Sequence, residues 1–134
     1  MTDGLARKGF DIDLAEGLAS ESDFLNAVRS ARVECKDERG QSQTTGNVFI
    51  EYRDHGRPSG IATTVAEWWS ARLADDVFVV IRTSLLRVLV RKAYNDGRRI
   101  KGGDFNNYDG VLIPCAWLVA PEKTLFPTQG EFEL

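Results

Sequence analysis

Apolar residues recur along this chain in short runs separated by Gly, Asn, Asp and Pro clusters, and the period of each run predicts its element. Ser20-Glu21-Ser22-Asp23 has the polar, acidic character of a helix start, and Phe24, Leu25 and Val28 follow at helical spacing, which predicts a short helix near residues 21–29. From Arg32 to Lys36 polar and apolar positions alternate with the period of a half-buried strand, so Val33 and Cys35 are expected inward and Glu34 and Lys36 together on the other face. The polar segment from Asp37 to Thr45 reads as a loop into a second strand, Gly46 to Arg53, expected to lie antiparallel beside the first. Asp54 to Gly60 is dense in turn formers, and Thr64-Val65-Ala66-Glu67 has the pattern of a capping box, predicting a helix to about Ala74. Val77 to Ile81 is continuously apolar, which predicts a central strand covered on both faces. After Thr83-Ser84, the residues Leu85, Leu86, Leu89, Val90 and Ala93 form a helical stripe that leaves Arg87 and Arg91 outward and ends at Asn95-Asp96-Gly97. Val111 to Ile113 is a last short strand, and residues 120–134 read as a flexible tail or one docked through Trp117 or Phe126.

A chain of 134 residues that is 43% hydrophobic has room for one core, so residues 1–134 are expected to form a single mixed α/β domain. The two cysteines, Cys35 and Cys115, lie far apart with no CxxC pattern and read as free thiols; with His55 the single histidine, a cysteine/histidine zinc site is disfavoured. A metal would then be held by carboxylates, which points to Mg²⁺ or Mn²⁺. No apolar stretch approaches the roughly 20 residues of a membrane span and the start lacks a signal-peptide core, so no membrane association and a cytoplasmic location are expected. The formal charge of -3 gives no global case for nucleic acid, but its distribution is uneven. Acids crowd the beginning, and Arg87, Arg91, Arg98, Arg99 and Lys101 form a basic strip that would suit a phosphate backbone.

Glu34-Cys35-Lys36 is the sharpest local feature, because period two sets a carboxylate and an ammonium side by side on one strand face. A carboxylate there can ligate a divalent cation, and a neighbouring lysine can orient an attacking water or stabilise charge on a phosphate. An ExK triplet alone is common, and a surface ion pair without function explains it as well. The order FDIDLAEG, VECKDER, TTGNVFIEY and RPSGIATTVAEWW, with IKGGDFNN and GVLIP later, resembles a phage-associated branch of the PD-(D/E)XK nuclease superfamily over most of the chain. The resemblance implies a restriction-endonuclease-like α/β core with a central mixed β-sheet flanked by helices, Mg²⁺-dependent cleavage of DNA, and a phage or bacterial origin.

Matched to that motif, Glu34 stands for the metal-binding carboxylate and Lys36 for the lysine. The resemblance offers Asp13, with Glu21 as second choice, for the upstream acid; Glu51, on the strand expected beside the first, could approach the same cation or only pair with a nearby arginine. Acids near a helix start also simply favour its positive end. No Pro-Asp pair precedes Glu34, so two functions stand side by side. One is a metal-dependent DNA endonuclease, possessing two-fold symmetry as a homodimer if it cuts both strands. The other is a nucleic-acid-binding or protein-interaction module that kept the fold and lost a ligand.

Overall fold

The computed structural model describes the backbone of residues 2–29 and 31–127 and the side chains of residues 14–29 and 31–127. It divides into two compact units, residues 1–31 and residues 32–134. The first is one helix, α1 (Thr2–Val28), in place of the short helix expected near residues 21–29. Ser20, expected to begin a helix, instead lies within it.

Among the described residues the second unit has seven strands in two sheets. In one, β1 (Val33–Asp37), β4 (Trp68–Ala74) and β5 (Val77–Arg82) run in the order β1-β4-β5, with β1 parallel to β4 and β5 antiparallel to it. In the other, β3 (Arg57–Pro58), β2 (Asn47–Asp54), β7 (Tyr108–Pro114) and β6 (Arg99–Gly102) form an antiparallel sheet in that order. The helices are α2 (Arg39–Thr45), α3 (Thr83–Asn95), α4 (Cys115–Val119) and α5 (Pro121–Leu125). The α/β class therefore holds, with two sheets in place of one central mixed sheet. Among the described residues no helix is long and apolar enough to cross a membrane.

The core lies where both sheets meet α3: Val48, Ile50, Val111 and Ile113 from one sheet, Trp69, Ala71, Leu73 and Ile81 from the other, and Leu86, Leu89 and Ala93 from the helix. The stripe on α3 is thus the one read from the sequence, and an Asp96 backbone cap followed by Gly97 at φ 80° ends it as expected. Leu118 of α4 joins this core and Trp117 and Leu125 pack against it, so the chain is docked as far as Leu125, while Phe126 is exposed.

Several segments depart from the pattern expected of them. The segment Trp68 to Ala74 is a strand, not a helix, because Trp69, Ala71 and Leu73 alternate inward between half-buried neighbours, and a period of two cannot line one face of a helix. Trp68 and Trp69 still face opposite ways, now across a sheet. The capping-box residues serve loops: Thr64 Oγ1 accepts from the Ala66 amide at 3.2 Å, and Glu67 Oε2 accepts from the Arg32 amide at 2.7 Å. Strand β1 does not pair with β2 at all, since β4 supplies its parallel partner. β5 is an edge strand, and Val77 and Phe78 are exposed, so its unbroken apolar run does not mark a central position. Asp37 to Thr45 is largely helical and stops at Gly46, whose φ of 73° is the left-handed geometry glycine adopts without strain. Its start is fixed by Arg39, which grips Asp37 with Nε and Nη2 at 2.9 and 2.7 Å and reaches Asp75 at 2.9 Å; the guanidinium holds the Asp37 carboxyl down at about 2.

Candidate nucleic-acid interface

The register of β1 on β4 sets Glu34 beside Trp69 and Lys36 beside Ala71. Trp69 and Ala71 are buried, so Glu34 and Lys36 occupy the inner, half-buried face, and Val33 and Cys35 the exposed one. This inverts the expected facing. The sides of a strand follow from its neighbours, and alternation by itself fixes only which residues share a side. On that face Lys36 Nζ and Glu34 Oε1 form an ion pair at 3.0 Å, and Nζ lies 5.6 Å from the centre of the Trp69 ring.

The other expected ligands do not join them. Glu51 stands on β2, in the other sheet, and accepts a hydrogen bond from Ser59 Oγ at 2.7 Å. Gly60 beside it has φ 53° and packs so closely that an added Cβ would stand 2.3 Å from the Glu51 carbonyl oxygen. Pro58-Ser59-Gly60 is therefore a turn clasped onto β2. Glu21 is an exposed residue of α1; the Asp13 side chain lies outside the described residues. Among the described residues, no group of three or more His, Cys, Asp or Glu side chains is placed to hold a metal ion. A divalent cation such as Mg²⁺ seeks about six oxygens in a near-ideal octahedron. Glu34 and Glu51, each engaged by another side chain and borne on different sheets, do not fit as its shared ligands.

Glu38, which drew no attention in the sequence, links the two sheets instead. Its backbone amide donates to the Arg72 carbonyl at 2.9 Å and its carboxylate accepts from the Phe49 amide at 3.2 Å, satisfying a donor on the side of β2 away from β7. Burial pushes the Glu38 carboxyl above its ordinary value of 4.5, with the Phe49 amide pulling weakly the other way. The folded protein thus holds this proton more tightly than the unfolded chain. The stability it contributes is complete below pH 4.5 and falls as pH rises through the raised value. Glu38→Gln keeps a carbonyl for the Phe49 amide and is expected to abolish that fall and raise the melting temperature at neutral pH. A variant that melts lower than the parent at neutral pH would contradict this.

The basic strip divides. Arg98 is structural: it donates to the Leu112 carbonyl at 2.8 Å and to Asn47 Oδ1 at 3.2 Å, and lies 5.7 Å from the Trp117 ring. Lys101 pairs with Asp109 at 2.8 Å, and the glycine loop after it is shaped around Tyr108, whose ring would stand 1.8 Å from a Cβ on Gly103. Helical spacing does not join these cations to Arg87, because α3 ends at Asn95 and Arg99 begins strand β6.

Arg87, Arg91 and Arg99 gather elsewhere, with partners that sequence reading missed. Tyr52, Ile61, Ala62, Arg87, Val90, Arg91 and Tyr94 line an open groove of about 340 Å³. Tyr52 and Tyr94 meet edge to face, with ring centres 5.8 Å apart and planes at 74°. Arg53 lies over Tyr52 at 5.6 Å and Arg99 over Tyr94 at 4.8 Å. The Arg87 guanidinium is fixed by bonds to the Ile61 carbonyl at 3.2 Å and the Thr64 carbonyl at 2.8 Å. One signal was available: Arg91-x-x-Tyr94 sets a guanidinium and an aromatic ring at one-turn helical spacing. Tyr52-Arg53 gave none, because neighbours on a regular strand face opposite ways and these two meet only at the register shift between Glu51 and Arg53.

No family model, curated protein or solved structure matches this chain. What the groove can do follows from its own chemistry. Arg91 and Arg99 are exposed and, among the described residues, lie outside every ion pair; Arg53 has a loose one, 3.8 Å from Asp109. A protein of charge -3 thus carries local positive charge beside a recess bordered by two tyrosines.

Proposed function

We propose that this chain is a nucleic-acid-binding module whose contact surface is the groove between α3 and β2. The observation that carries the reading is the convergence of Arg87, Arg91, Arg53 and Arg99 on the Tyr52–Tyr94 pair. Guanidinium groups neutralise phosphates and stack on aromatic faces, and aromatic rings receive bases irrespective of sequence. Acidic patches on the remaining surface do not oppose this, because at physiological salt charges more than about 8 Å apart are largely screened.

Metal-dependent cleavage of DNA is the second reading, favoured by the Glu34–Lys36 pair on the inner face of β1. Glu34 and Glu51 do not by themselves furnish the ligand set such cleavage requires. One titration tests both readings. Labelled DNA is bound over a range of salt concentrations by the parent and by an Arg91→Gln, Arg99→Gln double variant, with and without Mg²⁺ or Mn²⁺. The double variant is expected to bind all sequences more weakly and to flatten the salt dependence by roughly 0.7 to 0.9 per lost phosphate contact. Unchanged affinity and slope in a folded double variant would overturn the binding reading. DNA left intact by the parent in both metals would remove the cleavage reading, whereas cleavage that survives Glu34→Gln would remove Glu34 from it.

A further inference from the structure

We infer that the groove is built for an unpaired base, which makes single-stranded nucleic acid, and not duplex, the substrate class. The inference rests on the nucleic-acid reading and narrows it. A duplex presents phosphates outward and keeps its base faces stacked inside, so a surface for duplex backbone needs cations and has no use for an apolar recess. This recess is apolar at its base. Ile61 is 3% exposed and Val90 is half-buried, and Ala62 and the two tyrosine rings complete the wall. At about 340 Å³ it is at the small end of the range for small-molecule sites, roughly 300 to 1,000 Å³, the scale of one nucleotide and not of a helix.

The cations are placed to suit the same occupant. Arg87 and Arg91 stand four residues apart on α3, one turn, and both border the recess, so a strand with a base inside it passes two guanidinium groups spaced along one wall for its successive phosphates. The bonds from Arg87 to two loop carbonyls hold its guanidinium in place before anything binds, which lowers the ordering cost of the contact. Tyr94, carrying Arg99 on one face, also borders the recess and supplies the ring against which a base packs.

The test compares a short labelled single strand, the duplex of the same sequence and the same strand with one abasic site, all at one ionic strength. The parent protein is expected to bind the single strand more tightly than the duplex and to lose affinity as bases are removed. Tyr94→Ala is expected to weaken single-strand binding about tenfold while leaving the salt slope unchanged, since a stacked base carries no charge. Tyr94→Phe keeps the ring and is expected to restore binding. Duplex bound as tightly as single strand, or indifference to abasic sites, overturns the inference; the abasic comparison needs no variant, so a Tyr94→Ala protein that fails to fold does not shield it. Equal binding of both polymers with the arginine salt dependence intact would leave the broader reading standing. Binding of neither would fell both.

Discussion

Gly60→Ala is expected to lose about 3 kcal/mol of folding stability, several times the loss at a glycine that differs only in its surroundings. Two costs add at this position. A φ of 53° is left-handed geometry that a Cβ disfavours by roughly 1–2 kcal/mol. The added carbon would also stand 2.3 Å from the Glu51 carbonyl oxygen and 3.0 Å from its carbon, both backbone atoms of a strand in the middle of the sheet. Backbone cannot swing aside as a side-chain tip does, and relieving such a contact costs another ~1–3 kcal/mol. Gly46 is the control: its φ is 73° but nothing lies within 4 Å of its would-be Cβ, so Gly46→Ala is expected to lose only about 1 kcal/mol. Denaturant unfolding of both variants checks the pair, and equal losses would mean that the turn clasped onto β2 yields freely. The effect also bears on the groove, since Ile61 and Ala62 follow Gly60 directly and line it.

Leu89→Ala is expected to lose about 2–5 kcal/mol, a large part of the ~5–15 kcal/mol that holds a domain of this size folded. Leu89 is fully buried, between the two sheets and on the inner face of α3. Its neighbours belong to three different elements and cannot collapse together into the vacated space, so most of the cavity cost remains. Val88 on the same helix is the comparison: it is 41% exposed, and Val88→Ala is expected to be close to neutral because the better helix propensity of alanine offsets the lost contact. Melting temperatures of the two variants decide the matter. Comparable losses would show that α3 is held by its ends and not by its stripe. The helix that brings Arg87, Arg91 and Tyr94 to the groove is anchored through its Leu86, Leu89 and Ala93 face, so Arg91, exposed on another side, is expected to be replaceable without unfolding the protein.

What sequence alone determined was local and periodic. Leu86, Leu89 and Ala93 share one side of a helix whatever they pack against, Asn95-Asp96-Gly97 ends that helix, and the alternation over Val33 to Lys36 makes a strand with Glu34 and Lys36 on a common face. Each follows from backbone geometry within a few residues, which tertiary contacts rarely overrule when pattern and caps agree. The tertiary structure decided which side that common face took, because Glu34 and Lys36 turn inward only once β4 lies alongside with Trp69 and Ala71 buried. It also decided between a helix and a strand over Trp68 to Ala74: Thr64 to Glu67 would cap a helix, but a strand there pairs with β1 and β5 and buries Trp69, Ala71 and Leu73, and long-range pairing outweighs a local cap. The basic strip shows the same limit at the level of function. Sequence gives the number of cations, but Arg98 goes to carbonyls beneath Trp117, Lys101 to Asp109, and Arg99 to a tyrosine on another element. The groove is made of residues from β2, the turn after it and α3, separated by as many as 42 positions between Tyr52 and Tyr94 (94 − 52), and no periodicity spans such a distance; only the chain's return on itself places those rings edge to face.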